Sequence, residues 1–156
     1  MGIPSFDTPD YSVLFSEEKE MIAKLKKTFL MVSGKAVQTY GINLEKEQQL
    51  ILAAAEIMLE IYMAESAILK TDKLVGMTSE KACEGEIAMA KLNLFNAVEM
   101  TSSKGKEAIV SFADGDEQRM MLMGLKRFTK YTNNPNPIAL RKTIAAKVIE
   151  ENKYCF

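Results

Sequence analysis

Apolar residues recur at spacings of three and four along almost the whole chain, and no segment alternates convincingly as a half-buried strand would. The pattern predicts an all-α bundle of about five or six helices around one long central helix. Residues 1–15 read differently, as a connector: Pro4 and Pro9 keep it extended, and Phe6, Tyr11 and Phe15 can anchor it on a neighbouring surface. A single helical domain is expected over residues 16–156. Ser16 is a good N-cap, with Glu17 and Glu18 at the positive end of the helix dipole. Ile22, Leu25, Phe29, Val32, Ala36 and Tyr40 then form one face, with Glu20, Lys24, Lys27, Lys35 and Gln38 on the other, and the helix should end near Gly41.

Asn43 can cap a second helix running to about Val75, on the order of 50 Å long at about 1.5 Å per residue. Its centre, LILAAAEIMLEIYMAESAIL, has the length of a membrane span, but Glu56, Glu60 and Glu65 are too costly at a bilayer centre. Projected at about 100° per residue, Glu45, Gln49, Ala53, Glu56, Glu60, Ala64 and Ala67 form a small-or-polar stripe that reads as solvated. Glu65 falls instead among Ala54, Ile57, Met58, Ile61, Ile68 and Leu69, on the widest apolar face. An unpaired carboxylate there would be expensive, so a buried structural ion pair is predicted, with Arg119 or Arg127 as the cation. Catalysis by Glu65 is the second reading.

Gly76 and the Thr78-Ser79 caps reset the chain for a third helix, lined by Cys83, Ile87, Ala90, Leu94 and Val98. Gly105 marks an expected break before a short helix through Ala108, Ile109 and Phe112. Ala113 to Asp116 is a turn in which an aspartate caps the next helix, and Asn136 with Pro137 starts the last one, whose buried side would be Ile144, Ala145, Val148 and Ile149.

Charge changes this picture only locally. The chain of 156 residues has a net charge of −1, which exerts no global pull toward nucleic acid or membrane. Yet from Gln118 to Ile149 there are seven cations, Arg119, Lys126, Arg127, Lys130, Arg141, Lys142 and Lys147, and not one acid. They surround the apolar run Met120–Leu125. As a central bundle helix, this run would use Gly124 for close approach by a neighbour. As a docking or membrane-interface helix, it would use Lys126, Arg127 and Lys130, with Arg141, Lys142 and Lys147, to meet an anionic surface. Nucleic acid is not an expected partner, because basic residues interleaved with aromatics are lacking.

The chain has no histidine, which removes the commonest acid-base group and transition-metal ligand, and with them His-dependent triads and the Glu-x-x-His di-iron bundle. Cys83 and Cys155 are too few for a disulfide framework or a zinc signature, and a reducing, intracellular and cytoplasmic setting is expected. Residues 1–15 lack the basic start and apolar centre of a secretory signal. There is no P-loop, GxGxxG or EF-hand loop. No catalytic, cofactor-binding or metal-binding residue is therefore nominated.

Several blocks add a resemblance. GDEQRMMLMGLKRFTK (Gly115 to Lys130), the Asn136-Pro137 restart, the ending ALRKTIAAKVIEENKYCF, EIMLEIYMAESAILKTDKL (Glu56 to Leu74) and SSKGKEAIVSFADGDE (Ser102 to Glu117) are similar to the C-terminal end of bacterial very-long-chain-type acyl-CoA dehydrogenases. They cover roughly Leu14 to Phe156. What they resemble is the extra helical domain that follows the catalytic core in that branch of the family. The resemblance implies a non-catalytic domain of a larger FAD-dependent enzyme of fatty acid β-oxidation. FAD, the acyl-CoA pocket and the catalytic glutamate belong to a core that is absent from this chain. The implied partners are that core, a second subunit in a homodimer, and peripheral contact with a membrane. The alternative is a free-standing helical interaction or membrane-surface module. The two differ in one expectation: an excised domain leaves an apolar face open, and a free-standing one does not.

Overall fold

Among the described residues, 13–153 and 155, this computed structural model contains five α-helices and no strand. They are α1 (Ser16–Tyr40), α2 (Gln48–Met77), α3 (Glu84–Phe112), α4 (Gly115–Phe128) and α5 (Pro137–Glu151). The expected all-α bundle is what forms. Phe6 and Tyr11 lie outside the described residues, but Phe15 does anchor, with its side chain 1% exposed.

Helices α1, α2 and α3 form an antiparallel three-helix core whose register can be read from ion pairs. Lys19 to Asp72 and Lys26 to Glu65, each 2.6 Å, pair ascending positions on α1 with descending ones on α2. Glu56 to Lys104, 3.0 Å, ties the first half of α2 to the second half of α3. Between the three helices lies one apolar cluster built on Phe15, Leu25, Ile57, Ile68, Leu94 and Val98. A second cluster joins the far end of α1 and α3 to α4 through Val32, Ala36, Leu50, Ile109 and Leu125.

Local chemistry sets the ends. Phe15, not Ser16, occupies the N-cap of α1, in the left-handed region at φ 62°, and no side chain caps the helix there. Gly41 ends α1 at φ 52°, where a glycine meets no Cβ penalty. Asn43 does not open α2: a 3-10 turn over Gly41–Lys46 intervenes, and α2 starts at Gln48. Thr78 Oγ1 donates to the Leu74 carbonyl (2.8 Å) as α2 closes. The expected aspartate cap of α4 makes no side-chain bond; Gln118 Nε2 instead donates back to the Ala113 carbonyl at 2.7 Å. At α5 the expectation holds, with Asn136 Oδ1 accepting from the N–H groups of Ile138 and Ala139 at 3.1 Å and Pro137 in the first position.

Gly105 does not break a helix. It lies inside an unbroken α3, where a Cβ would stand 2.9 Å from Leu125 Cδ1, so the glycine lets α4 seat against α3. Gly124 performs the same service from α4, facing Met31 Sδ at 3.2 Å from where its own Cβ would be. Gly105→Val should therefore cost about 2 kcal/mol by overpacking, and the double variant with Leu125→Ala should recover part of it. Urea midpoints of the two variants would check this; equal losses in both would show that the close approach is not what the glycine serves.

Helix α4 is not the central helix its apolar run suggested. Only Leu125 is fully buried, and Met120 and Met123 are more than half exposed. Helix α5 is more peripheral still. It packs on α3 alone and has no fully buried residue, resting on half-buried Leu140, Thr143, Ile144 and Lys147 while the expected core residue Ile149 faces solvent. The segment before it is tied down by Glu17, whose carboxylate accepts from the Asn133 backbone N–H (2.7 Å) and from Asn133 Nδ2 (3.1 Å). Tyr131 stacks on Phe95 at 6.5 Å between ring centroids. Burial first, and then Glu18, Glu99 and Glu17, push its phenol well above the ordinary tyrosine value, so it stays neutral.

Candidate docking surfaces

The predicted buried pair is not there. Glu65 is 36% exposed at its side chain and bonds Lys26 Nζ of α1 at 2.6 Å, while Arg119 sits at the surface beside Asp116 (3.2 Å) and Arg127 is exposed. The cause is a rotation of α2 relative to the sequence reading. Ala53 and Ala64, placed on the solvated stripe, are buried at 3% and 0%, and the buried set on this helix is Leu50, Ala53, Ile57, Ile61, Ala64, Ile68 and Thr71. Ala64 shares one cluster with Ala90 and Ala97 of α3 and with Ile57, Ile61 and Ile68 of its own helix, which turns Met58 and Leu69 outward.

The outward residues of α2 make the most conspicuous surface of the molecule. Ile51, Leu52, Met58, Leu59, Tyr62, Met63 and Leu69 run along the outside of α2 with 39–67% of their surface exposed. Beside them a groove of about 210 Å³ opens between α1 and α2, lined by Phe29, Met58, Ile61 and Tyr62, with Lys26 and Glu65 at its rim.

The basic residues do not gather into one surface. Lys126, Arg127 and Lys130 are exposed at the end of α4, together with Met120 and Met123. Arg141 and Lys142 are exposed on α5, and among the described residues α4 and α5 make no contact. Lys147 is withdrawn altogether, holding both carboxylate oxygens of Glu86 on α3 at 2.6 and 2.7 Å. Of the six cations expected at an anionic surface, Lys147 is thus paired and the other five are exposed on two helices that do not touch.

The bond to Glu86 raises the Lys147 ammonium above its ordinary value, and bonds to Glu56 and Glu107 do the same for Lys104. A lysine pKa raised by folding means that the folded state holds the proton more tightly, so the pair stabilises below the unfolded value and that contribution is lost as pH rises through the folded one. Glu86→Gln should cost about 1 kcal/mol or less near neutrality. The gap from the parent should narrow above the ordinary lysine value of 10.5 and close once Lys147 loses its proton, as followed by urea unfolding across alkaline pH. A gap that stays constant with pH would remove the pair as its cause.

Among the described residues no group of three or more His, Cys, Asp or Glu is placed to hold a metal ion, and no helix is long and apolar enough to cross a membrane. A cavity of about 390 Å³ between the start of α3 and the end of α5 is lined by Lys81, Glu84, Lys147, Glu150 and Glu151. Among the described residues its lining carries three carboxylates against two lysines and no aromatic side chain, so these residues offer neither a net positive seat for a diphosphate nor a wall for an isoalloxazine ring and do not fit FAD.

By class, the described residues form an all-α bundle that leaves a large apolar face open on α2. The comparison with known families agrees: residues 24–127 match the acyl-CoA dehydrogenase C-terminal domain, and the chain belongs to that family. It is 29% identical over 143 residues to a probable acyl-CoA dehydrogenase of Bacillus subtilis (strain 168), covering 92% of this chain and 24% of that protein. It is also similar to the crystal structure of an acyl-CoA dehydrogenase complexed with FAD from Bacillus anthracis, with TM-score 0.88 and 30% identity over 92% of this chain and 25% of that one. The chain thus spans about a quarter of the length of the relatives it matches.

Proposed function

We propose that this chain, with its domain at 16–156, is the non-catalytic C-terminal domain of an FAD-dependent acyl-CoA dehydrogenase of fatty acid β-oxidation, packing on the catalytic core and serving the association of subunits. The observation that carries this reading is the coverage: 92% of the chain reproduces one quarter of an FAD-complexed dehydrogenase at TM-score 0.88. FAD would then be held by the remaining three quarters of such a parent. Oxidation of the acyl-CoA between Cα and Cβ would take place there too. The size of the native protein in its source cell, by immunoblot with antibody to this polypeptide, is the test. A band several times heavier than 17.4 kDa that co-purifies with flavin is expected, and a band at 17.4 kDa would overturn the proposal in favour of a free-standing module.

The exposed face of α4 favours a second role beside the first. Met120 and Met123 lie outward with Arg119, Lys126, Arg127 and Lys130, a combination suited to an anionic bilayer surface. The protein should sediment with vesicles of phosphatidylserine and phosphatidylcholine at low salt, and Lys126→Glu with Arg127→Glu should abolish this. Equal sedimentation of parent and variant would dismiss α4 as the contact.

A further inference from the structure

We infer that the outward face of α2 is the seat of the FAD-bearing remainder of the parent dehydrogenase, with the α1–α2 groove as its socket; this rests on the function proposed above. At about 100° per residue, Ile51, Met58, Leu59, Tyr62 and Leu69 fall on one stripe that also carries Ala55 and Ser66, directly opposite the buried stripe of Ile57, Ala64 and Ile68. From Ile51 to Leu69 the stripe is about 27 Å long and carries no charged residue, a length suited to a contact between domains of one chain. The groove lined by Phe29, Met58, Ile61 and Tyr62 gives it a concavity in which a large apolar side chain can bury, the usual centre of a protein contact.

Three occupants could cover such a face, and two fit poorly. An anionic bilayer would meet Glu56 and Glu60 along one border and Glu65 along the other, whereas the cations suited to headgroups stand on α4 and α5. A second copy of the chain must find its partner by diffusion. The remainder of the polypeptide, about three quarters of the relatives' length, is linked to the domain and so present at an effective concentration on the order of millimolar. The same face meets the expectation that separates an excised domain from a free-standing one, because it is left open.

Methionine oxidation reads the occupant directly. Met58 and Met63 lie on the α2 face, and Met120 and Met123 on α4, all accessible in the chain alone. Dilute hydrogen peroxide followed by mass spectrometry should oxidise all four in the 156-residue chain. In the native longer protein Met58 and Met63 should react about tenfold more slowly, with Met120 and Met123 unchanged. Leu59→Glu with Tyr62→Glu in the longer protein should restore oxidation of Met58 and Met63, while the same substitutions in the 156-residue chain leave its helical circular dichroism intact. Full oxidation of Met58 in a longer protein that does bind flavin would overturn the docking face and leave the functional proposal standing. Absence of any longer protein would remove both. Protection that grows with concentration of the chain alone would assign the face to a second copy, and protection only by anionic vesicles would assign it to lipid; either result overturns the proposal.

Discussion

Ala64→Glu should abolish most of the stability of this domain, while Leu59→Glu, five residues earlier on the same helix, should change it by no more than about 0.5 kcal/mol. Ala64 is 0% exposed and packs in the cluster that contains Ala90, Leu94 and Ala97 of α3. A carboxylate placed there loses its water and gains no cation, a loss of several kcal/mol against a total stability of about 5–15 kcal/mol for a typical domain. Leu59 is 55% exposed, and its replacement removes apolar surface from water. Helix propensity separates the two sites by only a few tenths of a kcal/mol, roughly the difference between losing an alanine and losing a leucine. Thermal unfolding followed by circular dichroism should place the Ala64 variant at least about 10 °C below the parent, or unfolded at the outset. If instead the Leu59 variant were the one to unfold, α2 would be rotated by half a turn from the arrangement described and the open face would be core.

The second large effect is expected at Phe15. Its ring is 1% exposed in the main cluster, so Phe15→Ala should cost about 3–5 kcal/mol. Its backbone is left-handed at φ 62° and ψ 13°, a conformation disfavoured by about 1–2 kcal/mol for a residue with a Cβ. Phe15→Gly removes the same ring and that strain together. The glycine variant should therefore be the more stable of the two by about 1 kcal/mol, the reverse of the usual order at helical positions. Denaturant midpoints of the pair decide it; an alanine variant at least as stable as the glycine one would mean that the left-handed turn is not held in solution.

Much of this architecture is legible in the residue pattern, and the reasons for the remainder are specific. The faces of α1 and of the first half of α3 follow from their spacing, because each has a single apolar side. Helix α2 is apolar over more than half its circumference, and the predicted face is only partly the buried one: Ile57, Ile61 and Ile68 are core as expected, but the core extends to Ala53 and Ala64 and leaves Met58 and Leu69 outside. Only the alanines of α3, Ala90 and Ala97, could have signalled in advance the burial of Ala64 in their cluster. The error carried Glu65 with it, since a residue flanking the true core meets Lys26 across α1 and not an arginine of α4. Gly105 misled for a related reason, because a glycine that admits a neighbour and one that ends a helix look alike in sequence. The basic stretch was visible as a run of residues but not as a surface, since α4 and α5 pack on different parts of α3.

The salt bridges have a chemical side as well. Among the described residues, the ion pairs seen to join one helix to another are made by lysines: Lys19, Lys26, Lys35, Lys91, Lys104 and Lys147. Primary amines are the groups that reactive thioesters and anhydrides acylate, and acylation would erase the charge on which each joint depends. Only the deprotonated amine attacks. By holding the protons on Lys104 and Lys147, the carboxylates of Glu56 and Glu86 keep those two amines poor nucleophiles. The fraction of free amine at the joints of α3 with α2 and with α5 is thereby lowered.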